Sequence, residues 1–178
     1  MFSRIAEIIR KEITHEFIIS TKTLKGNTQV SERAVISKIR VILDSMNLTY
    51  TEAGSQQSKD FRNVNNTGLN IEVKKTDSRV IIFNDTCPYK DIYYVILFTG
   101  KEYKKNPEKN IPPQLLFING EEFIKDCPRL AEFKLTMDKI KDDFSRGTNK
   151  KEFSRILSVY PRPTYKADIS SFLQKYKV

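Results

Sequence analysis

From Leu69 to Lys74 apolar and polar residues alternate, so Leu69, Ile71 and Val73 fall on one side of an extended chain and Asn70, Glu72 and Lys74 on the other. A period of two marks a strand with one buried face, and it predicts a strand over 69–76. The preceding run, Ser58 to Val64, reads as a second strand. Asn65-Asn66-Thr67-Gly68 between them is hairpin-turn chemistry, with a glycine available for positive φ. Further strands are expected at 48–53 and 79–83. The apolar run Ile92 to Thr99 is continuous rather than alternating, as suits a strand buried on both faces and sandwiched between helices. Leu115-Leu116-Phe117-Ile118 predicts one more strand.

Helical spacing appears elsewhere. Ile5, Ile8, Ile9, Ile13 and Phe17 give one apolar face to a helix over 2–19. Lys22 to Gln29 reads as a polar linker. Ser31 then caps a second helix running to about Met46, with Val35, Ile39, Ile42, Leu43 and Met46 inward and Glu32 in the first turn, where its charge suits the macrodipole. Glu121 to Leu130 and Phe133 to Arg146 read as helices, the second ending near Gly147. Lys101 to Pro113 is a loop rich in lysine, asparagine and proline. The expected fold class is α/β, a mixed β-sheet flanked by α-helices. It forms one domain over 1–178, with an N-terminal helical segment (about 1–30) and a C-terminal helical or irregular extension (about 133–178), since 178 residues suit a single core.

Composition narrows the function. A hydrophobic content of 39% with 11% aromatics argues for a folded globule. Lys and Arg outnumber Asp and Glu by 31 to 22, giving a net charge of +9 and a pI near 9.5, which favours a polyanionic partner. Cys87 and Cys127 are too few for a disulfide scaffold and have no metal-binding spacing. The first eleven residues carry charges throughout and show no apolar h-region, and no stretch approaches the roughly eighteen apolar residues of a membrane span. A cytoplasmic protein with reduced thiols is the expectation. The single histidine, His15, argues against nucleases of the ββα-metal type, which set a histidine general base beside further histidine or asparagine ligands, and of the phospholipase-D-like type, which need two histidine motifs. His15 itself reads as a surface or packing residue. Tyr93-Tyr94-Val95-Ile96-Leu97-Phe98-Thr99-Gly100 echoes a GIY-YIG nuclease but lacks the paired motif, and reads better as a buried strand.

The candidate chemistry depends on register. Directly opposed residues of an antiparallel pair share a face, so Asp60 joins Glu72 only where the paired numbers add to an even total. A slip by one residue turns Asp60 to the Val73 face, into the core. In the even register two carboxylates can hold a hard divalent cation, typically Mg²⁺, through oxygen ligands. Lys74 then stands beside it, placed to orient or help deprotonate an attacking water or to neutralise charge on phosphorus. The plainer reading is that an exposed strand face is ordinarily charged.

Lys59-Asp60, followed by Glu72-Val73-Lys74 within Ile71-Glu72-Val73-Lys74-Lys75-Thr76-Asp77-Ser78, resembles the PD-(D/E)XK nuclease superfamily, and more narrowly its type II restriction endonucleases. Ile82-Phe83-Asn84-Asp85-Thr86-Cys87-Pro88 also resembles the segment that follows the motif strand in several of those enzymes. The likeness is confined to about residues 32–99, and Lys59 stands where the motif has proline. It implies a restriction-endonuclease-like core. It also implies metal-binding positions at Asp60, Glu72 and Val73, holding one or two Mg²⁺ ions, and Lys74 as the catalytic lysine. Glu32, from the helix before the core strands, is the candidate for an added acidic residue.

Base reading favours Arg, Lys, Asn and Gln near the cleft. Gln56, Gln57, Ser58, Arg62, Asn63, Asn65 and Lys75 flank the motif, and Asn84 and Asp85 follow a strand expected to adjoin it. Turn propensity explains the hairpin asparagines equally well. Lys101, Lys104, Lys105 and Lys109, with Arg146, Lys150, Lys151, Arg162 and Lys166, form a candidate phosphate track. The expected function is a Mg²⁺-dependent, site-specific endonuclease acting on double-stranded DNA and leaving 5′-phosphate ends. It would be a homodimer on a palindromic target, or a small monomer nicking one strand at a time. The alternatives are a junction-resolving or repair endonuclease on the same fold and a non-catalytic basic DNA-binding module.

Overall fold

A computed structural model describes residues 2–22, 28–52, 59–84, 88–100, 111–125, 132, 135, 136, 139 and 164–173. The described elements run α1 (Phe2–Glu12), α2 (His15–Ser20), α3 (Thr28–Ser45), β1 (Thr51–Glu52), β2 (Phe61–Val64), β3 (Leu69–Thr76), β4 (Val80–Asn84), β5 (Ile92–Phe98), β6 (Gln114–Asn119), α4 (Gly120–Lys125) and β7 (Thr164–Asp168). Five strands form a mixed sheet in the order β1-β2-β3-β5-β6, and β4 and β7 form a separate antiparallel pair. Within the large sheet only β3 and β5 run parallel, with Glu72 beside Tyr94 and Lys74 beside Ile96. The architecture is mixed α/β.

The period-two pattern of β3 gives its apolar residues to one core and leaves Glu72 and Lys74 on the other face. Ile71 and Val73 join Phe61, Val95 and Leu97 against Ile5, Ile9, Val35, Ile39, Ile42 and Leu43 of α1 and α3. On the other face Ile92, Tyr94, Ile96 and Phe98 pack with Ile81, Phe83, Phe123, Ala167 and Leu173. Strand β5 is thus buried on both sides, as its continuous apolar run requires. The sandwich differs from the expected one: helices cover one face, while the β4–β7 ribbon and α4 cover the other. Strand β7 has no counterpart among the sequence-predicted elements, because Thr164–Asp168 carries two charges in five residues. It is a strand through five paired positions with β4, from Val80↔Asp168 to Asn84↔Thr164.

Several boundaries move for local reasons. The predicted 2–19 helix is broken at Thr14, whose extended backbone and Oγ1, accepting from the Phe17 N–H at 3.2 Å, cap a new helix. The second helix starts at Thr28, so Ser31 lies inside it rather than at its cap, and its first turn holds no acidic residue. The dipole role expected of Glu32 therefore falls away. Strand β1 shortens to two residues and β2 starts at Phe61. Strand β4 pairs with β7 and not with the motif strand, because β5 takes that place. The expected helix from Glu121 is described as far as Lys125. Of the one expected over 133–146, residues 135, 136 and 139 are helical and the remainder lies outside the described residues, as do 101–110 of the long loop.

The hairpin carries the register. Next to the turn Val64 faces Leu69, an odd sum that, continued, would put Asp60 opposite Val73 on the core face. Two β2 residues, Arg62 and Asn63, span the single β3 residue Asn70, and beyond this bulge Phe61 faces Ile71. Continued one residue, that register sets Asp60 against Glu72. Asn63 adopts φ +49°. Its N–H donates to Asn70 Oδ1 at 3.2 Å, and its own Oδ1 accepts the Gly68 N–H at 2.9 Å. Asn65, Asn66 and Gly68 complete the turn with φ of 53°, 58° and 76°. These left-handed positions are where asparagine and glycine are tolerated.

Asn63→Val is expected to lower stability by about 1–3 kcal/mol, because a β-branched residue strains at positive φ. Asn63→Gly should cost less, and thermal unfolding of the two variants checks the order.

Candidate active site

The site is built at the end of β2. Strand β2 stops at Phe61, so the Val73 N–H, which points toward β2, has no strand carbonyl to meet, and Asp60 Oδ2 accepts it at 2.7 Å. The carboxylate supplies a rung the ladder would lack past Phe61. Lys59, immediately before, has φ +83°, and its N–H donates to Glu72 Oε2 at 3.2 Å. Lys74 Nζ lies 2.5 Å from Glu72 Oε1. Asp60, Glu72 and Lys74 thus come together as the even register requires, and Glu72 does so with only 8% of its surface exposed.

Burying charge at the rim of a core is costly unless it is paired and hydrogen-bonded. Glu72 meets this with a donor on each oxygen. The Lys74 ammonium sits 5.7 Å from the centre of the Phe83 ring, a cation–π contact that adds a little to the ion pair. Burial works against its charge, but Glu72, Glu32 and Asp60 outweigh it, and its pKa is held above the usual lysine value. Lys74 is therefore an ammonium at neutral pH. Asp60 goes the other way. Desolvation, reinforced by Glu72 and Glu32 and opposed by the Val73 N–H and Lys74, pushes its carboxyl from 3.8 to about 6. Glu32 is half-buried in α3 and contributes through its charge to both Asp60 and Lys74. Tyr94, beside Glu72 in the parallel register, has its phenol pushed up by burial first, and its Oη accepts the Tyr89 N–H at 2.9 Å.

A divalent cation here would find oxygen donors only, with Asp60 Oδ1 and the Glu72 carboxylate as side-chain ligands. Among the described residues no group of three or more His, Cys, Asp or Glu could hold a metal. A pair of carboxylates is the donor set that suits Mg²⁺, which keeps several waters and takes the remaining ligands from phosphate. It is a poor set for zinc. The same residues fit the position assigned to Val73 less directly, since its N–H is already engaged by Asp60 and only its carbonyl could face a cation.

The remaining sequence-predicted residues divide. Lys75 is directed to the opposite face from Lys74; its side chain is 5% exposed and pairs with Asp77 at 3.3 Å, so it does not join the carboxylate face. Asn63 and Asn65 serve the bulge and turn, Asn65 donating its N–H to the Thr49 carbonyl at 2.6 Å. Arg62 is half-buried beside Thr51 of β1. Asn84 closes β4 in the separate ribbon, away from the expected place next to the motif strand. Lys166 is exposed on β7. Gln56, Gln57, Ser58, Asp85, Lys101, Lys104, Lys105, Lys109, Arg146, Lys150, Lys151 and Arg162 lie outside the described residues, as do Cys87 and Cys127. His15 opens α2 and is exposed.

Sequence reasoning missed two residues. Asp91 accepts from Lys59 Nζ at 2.8 Å and from Asn70 Nδ2 at 3.4 Å. Lys59 was visible only as the residue replacing the motif proline. The pairing that brings Asp91 to it is the parallel β3–β5 register, which no local pattern encodes. A cavity of about 580 Å³ lined by Arg10, His15, Gln114 and Phe117 lies against β6 and contains none of these carboxylates. No helix of the described residues is long and apolar enough to cross a membrane. Comparison with known proteins gives no matching family model, no matching curated protein and no matching solved structure.

The Asp60 carboxyl has a sign consequence for stability. Between its ordinary value of 3.8 and about 6 the folded state binds the proton more tightly than the unfolded state, so stability falls as pH rises through this window and the penalty is full above it. In chelator, Asp60→Asn should therefore be more stable than the parent by about 1–3 kcal/mol at pH 8, with the gain vanishing near pH 4. Denaturant unfolding at the two pH values checks this.

Proposed function

We propose that this chain is a Mg²⁺-dependent endonuclease that cuts double-stranded DNA at specific sites, a type II restriction enzyme on a restriction-endonuclease-like core, acting in the cytoplasm. The observation that carries the reading is the convergence of Asp60, Glu72 and Lys74 at the end of a β-hairpin, with Lys74 kept charged beside Glu72. It is this trio, Asp60 just ahead of β2 with Glu72 and Lys74 on β3, that the resemblance to the PD-(D/E)XK nucleases turns on. The net charge of +9 supports a polyanionic substrate.

Asp60 and Glu72 would hold the cation. When bound, Mg²⁺ supplies polarisation of a phosphoryl oxygen and a more acidic water. The protein's own part is electrostatic and positional. Lys74, an ammonium at neutral pH, donates to the attacking water and offsets the negative charge that grows on phosphorus, rather than removing a proton itself. Asp60, fixed through Oδ2 by the Val73 N–H, would hold the cation through its second oxygen. Glu32 adds negative charge near both. Attack by water on phosphorus would break the P–O3′ bond, with the water's proton passing to bulk solvent and the departing 3′-oxygen taking one from it, leaving a 5′-phosphate and a 3′-hydroxyl. A homodimer would present one such site to each strand of a palindromic target.

A second reading has one observation in its favour: both carboxylates already have partners within the chain, as a purely structural cluster would. That reading is a basic DNA-binding module without catalysis.

The test is digestion of a long linear duplex at low salt, with and without Mg²⁺. Discrete Mg²⁺-dependent fragments are expected from the parent, with rates at least about a hundredfold lower for Asp60→Ala and Lys74→Ala. At sub-saturating Mg²⁺, cleavage should weaken as pH falls toward about 6, where a proton on Asp60 competes with the cation. A gel shift indifferent to metal, with intact DNA, would establish the binding module, and cleavage only of branched DNA would indicate a junction enzyme.

A further inference from the structure

Lys59 has a backbone conformation that side-chain-bearing residues rarely adopt, φ +83°, and it sits directly before Asp60. Strain of this kind persists only where surrounding contacts enforce it. Two do so here. The Lys59 N–H reaches Glu72 Oε2 at 3.2 Å, and the Lys59 ammonium reaches Asp91 Oδ2 at 2.8 Å. Asp91 in turn takes the Asn70 Nδ2 at 3.4 Å, so the tether ends on β3 itself, two residues before Glu72. The Lys59 side chain is three-quarters enclosed, at 25% exposure, and its charge is spent on Asp91 rather than offered to a phosphate.

We propose that Lys59 is a positioning residue for the carboxylate pair, acting through its left-handed backbone and its N–H, with Asp91 as the anchor that holds it there. The inference rests on the nuclease reading for its effect on cleavage, though not for its geometry. One residue links the two carboxylates: the Lys59 N–H orients Glu72, and the Lys59 carbonyl leads into Asp60, whose Oδ2 is on Val73. Turning Lys59 to an ordinary φ would swing the N–H off Glu72 and displace Asp60 together with it. The position is also where the resembling motif has proline, and this chain could not accept one. Proline is fixed near φ −65° and has no N–H, so restoring the motif residue should damage the site.

The experiment compares Lys59→Gly, Lys59→Ala and Lys59→Pro in the full chain. It uses Mg²⁺-dependent cleavage, the Mn²⁺ concentration for half-saturation followed by loss of the free-ion electron resonance signal, and metal-free DNA affinity. Cleavage should fall about tenfold for Ala and about a hundredfold for Pro, the range typical of residues that orient metal ligands. The Mn²⁺ requirement should rise in the same order, and DNA affinity should hold. Glycine, which takes positive φ without strain and keeps the N–H, should recover most of what alanine loses. A merely structural role would lower folding stability without moving the Mn²⁺ requirement of the folded protein. The proposal is overturned if Lys59→Pro folds and keeps parental values, or if Gly is no better than Ala; the second comparison decides even where the proline variant does not fold. If the parent neither cuts DNA nor binds Mn²⁺, the nuclease reading fails instead. The geometry is then judged alone, by whether Glu72→Gln shifts the Lys59 amide resonance, and no shift overturns it.

Discussion

One extra residue in β2 decides which face of the sheet Asp60 occupies. The turn sets Val64 against Leu69, and without the bulge at Arg62 and Asn63 the odd register would carry Asp60 to the side of Val73, among the isoleucines of α1 and α3. There a carboxylate would have neither Glu72 nor Lys74 beside it. The bulge keeps Phe61 and Val64 both inward and fully buried although they are three residues apart, and this apolar burial on either side holds the shifted register in place. The hydrophobic pattern and the chemistry of the site are thus satisfied by the same irregularity.

Around that constraint the site balances charge against burial. Glu72 lies almost wholly inside, next to Tyr94 and the aromatic cluster of Phe83 and Phe123, and its two donors offset its desolvation. Asp60 is less well served, and its raised pKa is the measure of that deficit. A carboxylate held at a cost in the free protein has more to gain from a cation than one fully satisfied, which is the usual relation between a strained site and its function. Lys74 relieves part of the same strain, and as an ammonium it does so without competing for protons in the neutral range.

Much of this was legible in the sequence. Strand β3 matches its predicted bounds of 69–76, because clean alternation fixes both the strand and its faces. The Asn-rich turn and the buried β5 followed from local chemistry. What escaped was non-local or conformational. Strand β7 exists through its pairing with β4, a partner some eighty residues away in sequence. The break at Thr14 depends on one hydroxyl capping in preference to continuing the helix. The period of two put Lys74 rather than Lys75 on the face of Glu72, as the structure has it, yet it could not foresee that Lys75 is enclosed and paired with Asp77 on the other face. Lys59 and Asp91 carry no sequence signal beyond a missing proline and an acid ahead of an apolar run, since neither a positive φ nor a parallel register is written in any local pattern.

The central claim is that Asp60 and Glu72 form one divalent-cation site served by Lys74. Crystals grown without metal and soaked in Mn²⁺ test it most directly, through the anomalous scattering of the ion. The account predicts a peak bridging Asp60 Oδ1 and the Glu72 carboxylate at about 2.1 Å, the distance of an octahedral Mg²⁺-type site, with Lys74 still beside Glu72. An empty map at saturating Mn²⁺, with the Lys74–Glu72 pair and the Asp60–Val73 hydrogen bond undisturbed, would contradict it and leave the cluster a structural one.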